Sequence, residues 1–347
     1  MPNYTNPNVK PVEIKIRPVE TKTEIDERGA FQRQPNHFTT PFGDGEGELK
    51  AEKGRYHLYW AKGCHWSNRA SIVRELVGLK DAISVAIVGH DYEDPEKHRY
   101  GWDFAAYENQ VDPTTGAEFL SEFYYRADPD YTGRTTVPAL VDLETYTVVN
   151  NDYHRLTNYL EINFKPFQKV NAPNLYPEEL RADIDNLNDN VLFPFVNNGV
   201  YRMMFAQSLV AYEEAFDDFF TTLDVLEKRL ENNRFLFGDY VTDSDVRFFV
   251  TLARFDTHYY RNLGAIKKRI SEYTNIWGYA RDLYEIPAFK HNTYFHDIAR
   301  GWDTKKEKLF VDFNSRFADD IDFDAIWSTP QKRKYLSKTP EQKFLID

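Results

Sequence analysis

Sulfur is scarce in this chain: Cys64 is its one cysteine, and there are three methionines among 347 residues. A single thiol excludes an internal disulfide, and the nine histidines are scattered without the paired Cys/His spacing of a zinc site, so no metal is expected. Long apolar runs are missing too. No uncharged stretch approaches the roughly 20 residues a membrane helix requires, and the first residues, MPNYTNPNVKPVEIK, lack the charged start and apolar run of a secretory signal. The expectation is a soluble protein of the reducing cytoplasm with no membrane partner. Positive charge is in deficit, 43 Lys and Arg against 55 Asp and Glu, a net −12 that repels phosphate backbones. With no basic stripe interleaved with aromatics, nucleic acid is not an expected partner. The short run QKRKYLSK near the C-terminus reads as a solvated face.

What the chain has in quantity is aromatic mass, 26 Phe and 23 Tyr, enough for packed cores and flat pockets. Its length exceeds what one core usually organises, so two domains with extensions are expected. Residues 1–53 are rich in Pro, Asn, Thr and Gly and read as an extended arm. RYHLYWA (55–61) sets Tyr56, Leu58 and Trp60 against His57, Tyr59 and Ala61, the alternation of a strand with two packed faces. A helix is expected from Trp66 to Leu79, with Ile72, Val73, Leu76 and Leu79 on one face, followed by the buried strand AISVAIVG. Strand, helix, strand implies a parallel pair.

After a polar insertion, HDYEDPEKHRYGWDF, a helix is expected over 115–127. Two short strands follow in TTVPALVDLETYTVVNN. Pro138 stands at the entrance of the first, where its missing N–H does no harm and a cis bond is possible. A helix over 150–161 closes the domain. Beyond APNLYPEEL the pattern is helical: Phe205, Leu209, Tyr212, Phe216, Phe219, Leu223, Leu226 and Leu230 predict one long amphipathic helix over 205–230. Thr242, three residues before Asp245, predicts a capping box that starts a buried helix. Another helical stretch runs through WGYARDLYEIPAF, and the last 50 or so residues read as a mostly irregular surface tail.

Cys64 falls between a strand end and a helix start. There, unpaired backbone N–H groups and the positive end of the helix dipole favour a thiolate, the form that attacks electrophilic sulfur. The competing reading is a small buried residue that happens to contain sulfur. Composition leaves both open.

The chain resembles the glutathione transferase superfamily, and within it the xi class, the glutathionyl-hydroquinone reductases. The resemblance spans about residues 54 to 290 and rests on an ordered set of motifs: GRYHLYWAKGCHW, GWDF, ADPDYTGRTTVPAL, VVNN, LYPEELRADID, VNNGVY, GDYVTDSDVRFFVTLARFD and ARDLYEIP. It implies an α/β plus all-α fold. A thioredoxin-like glutathione-binding domain (54–165) would be followed by an all-helical glutathione-transferase C-terminal domain (175–300) and a tail (301–347), with the active site in the cleft between the domains. It implies removal of a glutathionyl group from a glutathionyl-hydroquinone through a cysteine mixed disulfide, with glutathione as cosubstrate. A homodimer is the common state of the superfamily.

Carried over by motif, Cys64 is the nucleophile, and Trp102, Arg134, Val137 with Pro138, and Asp152 hold glutathione. Tyr201 and Tyr284 line the hydroquinone site. By themselves Trp102 reads as core, Arg134 as a surface ion-pair partner, and either tyrosine as core or surface; the motifs single them out. Two departures stand out. The family has Pro after the cysteine where this chain has His65, which restores an N–H near the sulfur and frees the local backbone. It has Glu-Ser after the two asparagines where this chain has Asp152 and Tyr153, a shorter acid and a far bulkier neighbour. A Tyr there narrows the place for the γ-glutamyl carboxylate and points to another low-molecular-weight thiol as a possible donor. The alternative reading is a non-catalytic protein of this fold that binds a small thiol or a protein partner.

Overall fold

The computed structural model describes residues 4–10, 24–89, 91–94, 99–300 and 318–347. Parts of the expected arm (11–23), of the polar insertion (95–98) and of the tail (301–317) lie outside the described residues. The chain divides into two compact units. Residues 4–10 and 34–170 belong to the first, and 24–33 with the residues from 171 onward to the second.

In the first unit β1 (Tyr56–Trp60) is one of the two inner strands of a four-stranded sheet. It pairs in parallel with β2 (Ile83–Ile87), Leu58 opposite Val85, as a strand-helix-strand start requires. The remaining pairs are antiparallel: β1 with β5 (Ala139–Asp142) and β5 with β6 (Thr147–Asn150), giving the order β2-β1-β5-β6. A separate hairpin pairs β3 (Asp91–Asp94) with β4 (Arg99–Trp102).

The alternation of β1 has the expected consequence. Tyr59 stacks on Phe123 of α2 (Ser121–Ala127) with ring centroids 5.2 Å apart, while Tyr56 points to Phe42 and Phe164 on the other face, next to α1 (His65–Leu76) and α3 (Leu156–Ile162). All five residues of the strand are buried.

Several helices are shorter than the periodicity predicts, and side-chain hydrogen bonds explain most of the difference. Residues 115–120 are irregular because the buried Asp112 takes the N–H and hydroxyl of Thr115 and Glu122 takes the N–H groups of Glu118 and Phe119. These side chains offer the backbone an alternative to the helical ladder. Likewise Asp152 takes the His154 N–H, so α3 starts at Leu156 instead of Asn150. The helix after Cys64 ends at Leu76, ahead of a left-handed Gly78 (φ +78°) that lies against Lys169, where any Cβ would clash.

The second unit is helical: α4 (Arg181–Leu187), a π-helical stretch from Asn188 to Asn197, α5 (Gly199–Phe205), α6 (Leu209–Arg229), α7 (Asp243–Arg254) and a helix over Thr274–Tyr284. The single long helix expected over 205–230 is two helices. Ser208 turns extended and caps α6 by accepting the Ala211 N–H at 3.1 Å, so Phe205 ends α5. The Thr242–Asp245 capping box is present, with the Thr242 N–H 2.7 Å from Asp245.

The described end of the tail is more than a surface wrap. Phe323–Trp327 is a helix with both end residues buried, and the buried Arg333 donates to the carbonyls of Leu230, Asn233 and Arg234. The expected arm also holds structure. Between Glu24 and Arg33 the chain turns back on itself, Asp26 accepting the N–H groups of Arg28 and Ala30, and Gly29 (φ +81°) lies where a Cβ would meet the Ser208 backbone nitrogen at 3.0 Å.

Candidate active site

Cys64 lies four residues after the end of β1 and is the N-cap of α1, extended at φ −81° and ψ 117°. Its N–H donates to Ala61 (3.1 Å) and its carbonyl accepts from Asn68 (3.1 Å), so the backbone is tied on both sides. Ser67 tightens the turn, its Oγ accepting the Ala61 N–H at 3.1 Å and lying 3.3 Å from the Cys64 carbonyl. The sulfur makes no capping bond, and the residue is partly buried. Its polar neighbour is the Val137 carbonyl at 3.8 Å, a contact that a thiol donates and a thiolate cannot.

Val137 precedes Pro138, and the bond between them is cis. The loop before it is anchored: Tyr124 donates to the Thr136 carbonyl (2.6 Å) and Asn151 to the Thr136 hydroxyl (3.3 Å). Among the described residues no hydrogen bond uses the Val137 N–H.

Trp102 ends β4 and, like Cys64, packs half-buried against the edge of the aromatic core formed with Tyr59, Phe123 and Val137. Gly101 before it (φ +84°) lies so close to Thr135 that a Cβ would meet its hydroxyl at 2.8 Å. This close approach brings the GWDF motif against the loop that carries Arg134, Val137 and Pro138. Arg134 is half-buried, and its carbonyl receives the Tyr131 hydroxyl at 2.8 Å.

Asp152 is buried, takes the His154 N–H (2.8 Å) and the Asn36 amide (3.3 Å) on one oxygen, and donates its own N–H to Asn150. Its first visible task is the turn into α3. Tyr153 packs on Trp66 (4.8 Å between centroids) and stands 5.9 Å from the Arg69 guanidinium, so the bulky departure sits beside the first turns of α1. His65, the other departure, is fully buried, edge-on to Trp66 at 4.3 Å. The helix begins at His65 without the proline.

In the helical unit the two tyrosines have different surroundings. Tyr201, on α5, carries the Arg33 guanidinium 4.5 Å over its ring centre and stacks on Phe205. Tyr284 is buried between Phe295 and Trp327, and its hydroxyl donates to Asp324 at 2.8 Å, an acid also held by Lys290. Burial, with the Asp324 carboxylate second, pushes the Tyr284 hydroxyl well above the ordinary tyrosine range. Sequence reasoning missed Ser67, Arg33 and Asp324. Ser67 had a faint signal in its spacing from Cys64, whereas the other two come from segments that read as irregular.

A four-stranded mixed sheet with an inner strand that leads through a cysteine into a helix, followed by an all-helical unit, is the architecture of glutathione transferases. Residues 210–282 match the glutathione S-transferase C-terminal domain family. The chain is 37% identical over 282 residues to glutathionyl-hydroquinone reductase YqjG of Escherichia coli strain K12, covering 78% of this chain and 83% of that protein. It is also 37% identical over 249 residues to glutathionyl-hydroquinone reductase PcpF of Sphingobium chlorophenolicum, covering 72% and 76%.

Among solved structures, the xi glutathione S-transferase of Phanerochaete chrysosporium superposes with a TM-score of 0.70 at 37% identity, over 79% of this chain and 87% of that one. A glutathione-bound structure of YqjG from Escherichia coli K-12 gives 0.70 at 35% identity, over 83% and 92%. The protein is an enzyme of the glutathione transferase superfamily. Within it, the chain belongs to the xi class, the family of the glutathionyl-hydroquinone reductases.

Proposed function

We propose that this enzyme removes the glutathionyl group from glutathionyl-hydroquinones through Cys64. The Cys64 thiolate attacks the sulfur of the substrate, an S–S bond to the glutathionyl group forms, and the C–S bond to the ring breaks. The electron pair of that bond is left on the aromatic ring system, which takes up one proton as hydroquinone departs. A second glutathione attacks the mixed disulfide, releasing oxidised glutathione, and the proton it loses balances the one the ring gained. An aryl carbanion is a poor leaving group. Tautomerisation of the phenol places the C–S carbon beside a carbonyl, so the electrons pass to oxygen, and a hydroxyl donor at that oxygen then lowers the barrier.

The observation that carries this reading is the partly buried cysteine at the start of α1, with its sulfur 3.8 Å from the Val137 carbonyl. In the proposal the Val137 backbone pairs with the cysteinyl part of glutathione, Trp102 and Arg134 flank it, and Asp152 receives the γ-glutamyl amine. Arginine suits a glutathione carboxylate through paired hydrogen bonds. We give the donor role toward the hydroquinone oxygen to Tyr201. Tyr284 would have to leave Asp324 to serve, so its part is to hold the aromatic wall.

The domain division proposed is 54–165 for glutathione and 175–300 for the helical part, in a cytoplasmic homodimer whose mass light scattering would give. The decisive experiment is incubation with a glutathionyl-hydroquinone and glutathione. Hydroquinone release that Cys64→Ser abolishes supports the reading, and release that survives the substitution ends it.

A further inference from the structure

Residues 24–33, which belong to the helical unit, carry a cation to one of its tyrosines. Arg33 donates from Nε to Asn198 Oδ1 at 2.8 Å, and its guanidinium carbon lies 4.5 Å from the centre of the Tyr201 ring and 5.3 Å from that of Phe31. Asn198 is the N-cap of α5 and Tyr201 stands three residues on, so the VNNGVY motif presents the anchor and the ring on one helix face. The segment itself is fixed. Phe31 is buried against Phe205 (4.9 Å), the Gln207 N–H donates to the Gly29 carbonyl (2.8 Å), and the Ser208 hydroxyl donates to the Arg28 carbonyl (2.6 Å). A long flexible side chain is thus held at a defined place by its backbone and by the charge-assisted hydrogen bond to Asn198.

We infer that Arg33 is a positioning residue of the hydroquinone site, acting through Tyr201 to favour the oxyanion that develops on the departing aromatic ring. This deepens the proposed function and rests on it for the role of Tyr201. A cation over an aromatic face gains as the ring becomes richer in electrons, which happens when the Tyr201 hydroxyl shares its proton with a phenolate. The same guanidinium fixes the ring plane, so the hydroxyl is aimed before substrate arrives. The ligand class selected is a phenol that binds as its anion.

The probe is 4-nitrophenol, whose anion absorbs in the visible, titrated into the Cys64→Ser protein across pH. The bound probe should ionise about one pH unit lower than the free one, a tenfold preference for the anion. Arg33→Met should remove about five- to tenfold of that preference, Arg33→Lys should restore most of it, and Tyr201→Phe should match Arg33→Met. In parallel, Arg33→Met in the otherwise unaltered enzyme should lower kcat for hydroquinone release with the KM for glutathione unchanged.

A bound probe indifferent to Arg33→Met, or no binding by the parent protein, overturns the inference. If the probe responds as stated while the unaltered enzyme releases no hydroquinone, the phenolate site stands and the proposed reaction falls.

Discussion

At the scale of single residues, Cys64 and Tyr153 are the positions on which the proposed chemistry turns. Cys64 was legible because a strand pattern and a helix pattern meet at it, and the structure leaves the residue partly buried at that junction. Tyr153 was legible only as a departure; its packing against Trp66 and beside Arg69 supplies the physical content. If it narrows the γ-glutamyl end of the thiol site, Tyr153→Ser lowers the KM for glutathione severalfold with kcat little changed. An unaltered KM in steady-state kinetics would remove Tyr153 from the argument.

The two proposed hydroquinone tyrosines separate by the same kind of test. Tyr201→Phe deletes a proposed donor and should cost about tenfold or more in kcat. Tyr284→Phe strips the buried hydroxyl from Asp324 and should cost about 1 kcal/mol of stability, read as a lower urea midpoint, with a smaller effect on kcat.

At the scale of elements, periodicity found the strands and the cores of the helices but not their ends. Side chains set the ends: Asp112 and Glu122 keep 115–120 irregular, and Ser208 divides what reads as one helix into α5 and α6. Nothing in a pattern of apolar spacing reports whether a serine turns its hydroxyl toward the backbone. Ser208→Ala should therefore destabilise the helical unit by about 1 kcal/mol, a lower urea midpoint at unchanged slope. The division has a further consequence: the extended stretch between the helices is where Gly29 and Arg28 dock, and with them Arg33. Gly29→Ala places a Cβ about 3 Å from Ser208 and forces an unfavourable φ. It should reproduce the loss of oxyanion preference expected for Arg33→Met.

At the scale of the molecule, each unit buries a histidine in neutral form. His57 lies wholly inside the first, with Nδ1 2.6 Å from the Ser84 hydroxyl, and His258 lies inside the second. Burial pushes both down to about 4, against an ordinary value near 6.5. Above pH 6.5 neither folded nor unfolded chain carries the proton, and stability is independent of these groups. Between 6.5 and 4 the unfolded chain binds protons that the folded one refuses, so stability falls as pH falls, by up to about 1.4 kcal/mol per pH unit for each histidine. Below about 4 both states are protonated and the loss levels off. Urea midpoints between pH 7 and 5 should trace that slope, and His258→Gln should reduce it.

The tail is the other feature of the whole. Asp282, fully buried, pairs with Arg234 and with Lys343 near the C-terminus; against the opposing effect of burial, these two cations hold its carboxyl below the usual range. Arg234→Met leaves a buried acid with half its partners and should cost about 3–5 kcal/mol, seen as early melting of the helical unit.

By itself the sequence determined the class of fold, the parallel start of the sheet, the capping box at Thr242 and the position of the thiol, because each follows from neighbours a few residues apart. Only the tertiary structure decided which distant segments meet the two tyrosines. The cation over Tyr201 comes from 168 residues upstream and the acid on Tyr284 from 40 downstream. Local periodicity carries no information about such pairs, since they are brought together by folding of stretches that have no period of their own.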